Sequence, residues 1–159
     1  MAKLFEFGER LPEYDVPVVN EREVRAGAGI MFVVAMIAFF QAFQLGNFTP
    51  MRIVVLAFLI EFAIRVLVNP RYAPSLVLGR LMVRNQEPDY SGAPQKRFAW
   101  SLGLGLAVAV SIMVFGLNMV GPAVLAACLI CLSLLFMETA FGICVGCKMY
   151  NLAFPGHAR

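Results

Sequence analysis

The chain has 159 residues, 60% of them hydrophobic and 14% charged, with a formal net charge of +3 and a mean hydropathy of +0.78. A soluble domain carries about 25% charged and about 45–50% apolar residues, so the departure is towards lipid and away from disorder. The length allows one domain, and no basic block interleaved with aromatics points to nucleic acid, which is excluded as a partner.

Residues 1–25 mix charges with Leu4, Phe5, Phe7, Leu11 and Tyr14 and carry Pro12 and Pro17. No apolar stretch followed by a small-residue cleavage site marks a signal peptide, so this segment is expected to be retained. It is read as a cytoplasmic or interfacial piece that lies on the membrane surface or covers the helices. Asn20 to Arg25 has the pattern of a helix start, with Asn20 as N-cap and Glu23 as its capping partner.

Ala26 to Leu45 is free of charge, and about 20 residues at 1.5 Å rise cross the hydrocarbon of a bilayer. It is the first expected transmembrane helix. Gly46 to Pro50 is a turn in which Thr49 caps and Pro50 takes the first helical position. Residues 51–68 form the second span, which contains Glu61 and Arg65. Their i,i+4 spacing puts them one turn apart on one face, acid first. An unpaired charge near a bilayer centre costs about 2.5–3.5 kcal/mol, so pairing is expected, as is reach of Arg65 towards the interface.

Residues 70–97 are the long loop. Pro74 to Arg84 reads as a short interfacial helix, with Val77, Leu78, Leu81 and Met82 as an apolar stripe. The third span is residues 98–117, where Gly103, Ala107 and Ser111 repeat every fourth position and permit close helix approach. After a tight, uncharged turn, residues 120–142 form the fourth span, and residues 153–159 are a tail holding the single histidine, His157. The fold class is therefore all-α: an integral membrane four-helix bundle over residues 26–152, with a short interfacial helix between spans two and three. Basic residues gather before span one, between spans two and three and after span four, which places both termini in the cytoplasm of a bacterial inner membrane.

The residues with chemistry lie near the end of the chain. Cys144 and Cys147 form a Cys-x-x-Cys pair with Gly142 and Gly146 beside them and Lys148 next to the second thiol. Such a pair forms a reversible disulfide, carries a sulfane sulfur or supplies half of a soft-metal site. The glycines permit a turn, and Lys148 favours a thiolate. The structural alternative is two small residues at a helix end. Because the pair faces a reducing compartment, a permanent disulfide is not expected there. Cys128 and Cys131 are also spaced Cys-x-x-Cys, but the 13 residues from Cys131 to Cys144 span about 20 Å of helix. They are read as packing residues, with no metal site.

Glu138 sits in apolar sequence near the cytoplasmic end of span four, as a proton relay, a partner for a cation or a buried orienting acid. It meets the cysteine pair only if the chain bends near Gly142. Glu61 and Arg65 form a local ion pair or belong to a wider polar cluster with Glu138, Lys96 and Arg97. The last two are otherwise flanking residues for lipid headgroups.

Val19-Asn20-Glu21-Arg22-Glu23-Val24-Arg25, the acid-to-arginine pair in Leu59 to Arg65, Pro94-Gln95-Lys96-Arg97-Phe98-Ala99 and Glu138 to Tyr150 together resemble a family of small bacterial four-helix membrane proteins of unknown function. The resemblance runs from Val19 to Leu152, and Gly142-x-Cys-x-Gly-Cys-Lys-x-Tyr150 is its most specific element. Ile143 stands where Phe is expected. The resemblance implies fold class and compartment but no activity and no cofactor. Three functions remain open. One is a thiol redox or sulfur-handling protein using Cys144, Cys147 and Glu138 with a thioredoxin-like or sulfur-donating partner. The others are a non-enzymatic subunit or assembly factor of a larger membrane complex, and a small homo-oligomeric transporter using Glu61, Arg65 and Glu138.

Overall fold

The computed structural model describes residues 7–154. Leu4, Phe5, His157 and the tail after Phe154 lie outside the described residues. A first short strand, β1 (Val18–Asn20), leads into α1 (Glu21–Leu45). Then come α2 (Thr49–Ala63), whose last turn widens into a π turn over Ile64–Val68, and a 3-10 turn at Pro70–Tyr72. The short helix α3 (Pro74–Val83) and strand β2 (Tyr90–Gly92) follow. The last elements are α4 (Ala93–Ser111), ending in a second π turn at Ile112–Gly116, α5 (Pro122–Phe141) and α6 (Val145–Ala153).

Three helices are long and apolar enough to cross a membrane: Glu21–Leu45, Ala93–Gly116 and Pro122–Phe141. They match the first, third and fourth expected spans in position. Ile37, Phe43, Ile53, Ile112 and Ile130 all point outward, a display of large apolar side chains suited to a lipid solvent. Small side chains, among them Ala28, Ala38, Ala42 and Ala107, are spread through the core and let the helices approach closely. Gly103 of the expected small-residue face is one such place, where a Cβ would stand 2.7 Å from the Phe62 ring.

Helix α1 lies against α2, α3 and α5, while α4 lies against α2 and α6 and touches α5 least. The short helix is α3, and its Leu76 and Gly79 face α1. A Cβ on Gly79 would come within 2.6 Å of the Glu23 carbonyl, so this glycine sets the crossing. The stripe of Val77, Leu78, Leu81 and Met82 faces outward, as an interfacial helix requires.

Several local expectations are corrected. The fold is helical but includes a short antiparallel ribbon, pairing Val18 with Gly92 and Asn20 with Tyr90. Asn20 does cap α1, accepting from the Arg22 N–H, while Glu23 bonds the Asn20 side-chain amide and not its backbone. Helix α2 starts one residue earlier than expected, with Phe48 as cap and Asn47 accepting from the Thr49 N–H. Beyond the fourth expected span the chain forms a separate helix, α6. The described part of the N-terminal segment covers the helix ends: the Phe7 ring packs tilted against Trp100 with centroids 5.6 Å apart, and Val18 is buried.

Candidate functional site

One end of the molecule is polar. There the start of α1, the end of α2, the starts of α3 and α4, and the end of α5 come together, while the opposite end holds the uncharged turns after α1 and before α5. Two buried ionic centres occupy the polar end.

The first is built on Arg65, which is 2% exposed and lies in the π turn of α2. Its Nε donates to Glu61 Oε1 at 3.0 Å. Its Nη2 donates to Ser75 Oγ at 2.5 Å and approaches Met31 Sδ at 3.3 Å. Ser75 completes the ring: its hydroxyl reaches Glu61 Oε1 at 2.5 Å and its backbone N–H reaches Oε2 at 3.2 Å. The guanidinium also stands over Trp100 at 5.3 Å and Phe62 at 5.4 Å, faces that attract a desolvated cation. The Glu61–Arg65 pair expected from spacing is therefore present, and it anchors the first turn of α3. Ser75, Met31 and Trp100 carried no sequence signal, because each meets Arg65 only through the fold.

The second centre is Lys96, 1% exposed, near the start of α4. Its Nζ sits 2.8 Å from the Glu21 carboxylate and 2.9 Å from Glu138 Oε1. One ammonium thus ties α1, α4 and α5 together. Glu138 is paired with a cation, Lys96, an arrangement that fits both a cation partner and a buried orienting acid. Glu21 was not singled out as a site residue, although it lies in the motif that carried the family resemblance. Arg97 is not part of either centre: its side chain is exposed and lies over the Phe7 ring at 5.4 Å. Consecutive helix positions point about 100° apart, so burying Lys96 turns Arg97 outward.

The cysteine pair follows a sharp bend. Helix α5 ends at Gly142 in the left-handed conformation, φ +63°, with the Arg25 guanidinium against it and bonded to the Thr139 carbonyl. The chain does bend at Gly142, the condition for Glu138 to approach the cysteine pair, and Glu138 and Cys144 line one cavity with Trp100, Cys131 and Ile143. Gly146 plays a different part from the one expected. It lies inside α6, where a Cβ would stand 2.6 Å from Ala99, so its missing side chain lets α6 dock on α4. Cys144 is the N-cap of α6, with its sulfur accepting from the Cys147 N–H at 3.3 Å. The two sulfurs are joined as a disulfide across a Cα separation of 5.2 Å.

Cys128 and Cys131 remain thiols and are partly buried. Cys128 packs at 3.8 Å from Met51 Sδ, and Cys131 reaches the wall of the cavity that Cys144 also lines. Among the described residues, no three His, Cys, Asp or Glu side chains gather as a metal site.

Long apolar helices around buried ion pairs, with apolar side chains outward, define a helical membrane protein. The chain belongs to the family described as Domain of unknown function (DUF4395), whose model matches residues 19–154. That span runs from β1 to the end of α6 and so takes in both ionic centres and the cysteine pair. No curated protein and no solved structure matches the chain.

Proposed function

We propose that the protein is a four-span protein of the cytoplasmic membrane whose Cys144–Cys147 pair cycles between dithiol and disulfide at the cytoplasmic face. The observation that carries this reading is Cys144 as cap of α6, with its sulfur on the Cys147 N–H and bonded to the Cys147 sulfur. A reactive pair needs a helix N-terminus to hold the thiolate and a partner thiol one turn away, and α6 supplies both. Glu138, on the wall of the same cavity, is the group that handles the proton. The exchanging partner on the aqueous side is a thioredoxin-like or sulfur-donating protein.

The fourth span of this reading is α2 with its π turn, Thr49–Val68. At 1.5 Å per residue that rod is about 30 Å long, enough for the hydrocarbon layer. Its interruption by Glu61 and Arg65 is tolerable because both are sealed against α1, α3 and Trp100. Orientation follows from the basic residues: Arg22, Arg25, Arg80, Lys96 and Lys148 belong to the polar end, and Arg52 to the other. The test is thiol trapping in intact membranes before and after oxidant and reductant, with both cysteines read by mass spectrometry. Reversible conversion, or a retained extra sulfur, supports the reading. Two thiols that stay inert move it to a structural subunit of a membrane complex.

A further inference from the structure

Helices α4 and α5 are close in sequence yet make the weakest contact of the bundle's long neighbours. Between them, closed below by α6, lies a cavity of about 150 Å³. Its wall is apolar and aromatic, with Phe62, Trp100, Leu106 and Leu134 prominent, and Cys144 and Glu138 stand at its polar end. Leu134 and Met149 are lining residues that are also exposed on the outer surface, so the cavity opens sideways, towards lipid. An apolar cavity of ~150 Å³ takes one six-membered aromatic ring. A water-filled dithiol site needs no such chamber. A site that passes electrons to a carrier dissolved in the bilayer does.

We propose that this cavity binds the ring of a lipid-soluble quinone, which reoxidises the Cys144–Cys147 dithiol. The inference rests on the thiol reading above and names its electron acceptor. The Cys144 thiolate attacks a ring carbon of the quinone and forms a sulfur–carbon bond. The Cys147 thiolate then attacks the Cys144 sulfur. The sulfur–sulfur bond forms, the sulfur–carbon bond breaks, and its electron pair leaves on the ring. The two thiol protons complete the hydroquinone, one of them by way of Glu138. One dithiol is oxidised by two electrons and one quinone is reduced by two. The geometry suits this order, because Cys144 lines the cavity and Cys147 lies behind it on the next turn of α6.

The test uses the full chain in lipid nanodiscs, reduced, freed of reductant and kept anaerobic. Decylubiquinone is added, hydroquinone is followed by ultraviolet absorbance, and the disulfide is read by intact mass after alkylation. Diamide, a water-soluble oxidant, is run in parallel. The expected result is about one hydroquinone per chain and a disulfide in every chain. Leu134→Trp, which fills the cavity, should slow the quinone reaction at least tenfold while diamide still closes the disulfide. Leu129→Trp, on the same helix but exposed on the face turned away from Cys131, Leu134 and Glu138, should behave as wild type. Closure by diamide but not by quinone overturns the inference and leaves the thiol reading standing. An equal quinone rate in Leu134→Trp overturns the cavity as the site. Failure of both oxidants to close the disulfide overturns the thiol reading itself.

Discussion

Replacing Glu61 by Leu should destabilise the protein far more than replacing both Glu61 and Arg65. Arg65 is 2% exposed, and its ion-pair partner is the Glu61 carboxylate at 3.0 Å. With Glu61 gone, Ser75 and two aromatic faces remain, and none carries a negative charge. An arginine cannot neutralise itself by losing a proton, so the charge stays buried and uncompensated. Breaking a buried pair from one side costs about 3–5 kcal/mol. The reverse substitution, Arg65→Met, leaves Glu61 with the Ser75 hydroxyl and N–H as donors and should also destabilise the protein. The pair Glu61→Leu with Arg65→Met removes both charges and leaves the Ser75 hydroxyl and N–H without their partner, a loss of about 1–3 kcal/mol. The assay is thermal unfolding in one detergent, where each kcal/mol moves the midpoint by about 2–4 °C for a chain of this size. Glu61→Leu should therefore melt about 6–20 °C lower than wild type, and the double variant should regain most of that loss. If the double variant melts as low as the sum of the two single losses, the pair does not act as a coupled unit and the reasoning fails.

Lys96→Met should leave Glu21 and Glu138 facing each other without their shared cation and lower stability by about 3–5 kcal/mol, with Lys96→Arg recovering part of it in the same melt. Gly142→Ala forces a Cβ into the left-handed conformation against Arg25 and should cost at least about 1–2 kcal/mol, seen as a lower midpoint with the thiol chemistry retained. Gly146→Val drives a side chain into Ala99, so α6 should detach from α4. The readout is faster trypsin cleavage at Lys148, and protection equal to wild type would contradict the docking. Arg80→Ala breaks an ion pair with Glu23 whose arginine is 41% exposed, and the loss should stay within about 1 kcal/mol.

Membrane character was legible from composition and from long runs without charge, because a bilayer imposes a length and a polarity that hardly depend on neighbours. The Glu61–Arg65 contact was legible for a similar reason, since i,i+4 spacing on a helix is local geometry. So were the cap at Asn20 and the short helix in the long loop, while Gly142 was legible only as a place where a turn is permitted. What spacing could not reveal was any contact between distant segments. Lys96 and Arg97 are adjacent and chemically alike, yet one is sealed between two carboxylates and the other lies over Phe7 at the surface. Only the rotation of α4 against α1 and α5 makes that choice. Ser75 and Trp100 are unremarkable in a sequence and gain meaning from the crossing of α2 with α3 and α4.

By itself, then, the sequence determined that this is a helical chain for lipid, where its long helices run, and that an acid, two thiols and a set of basic residues belong near one end. The tertiary structure alone decided that Glu138 is held by Lys96, that Gly146 serves a helix contact and not a turn, and that Cys144 shares a cavity with Glu138 and Cys131. The physical reason is the range of the forces involved. Transfer to lipid and helix periodicity act on each segment separately, whereas burying a charge requires partners that arrive from other helices.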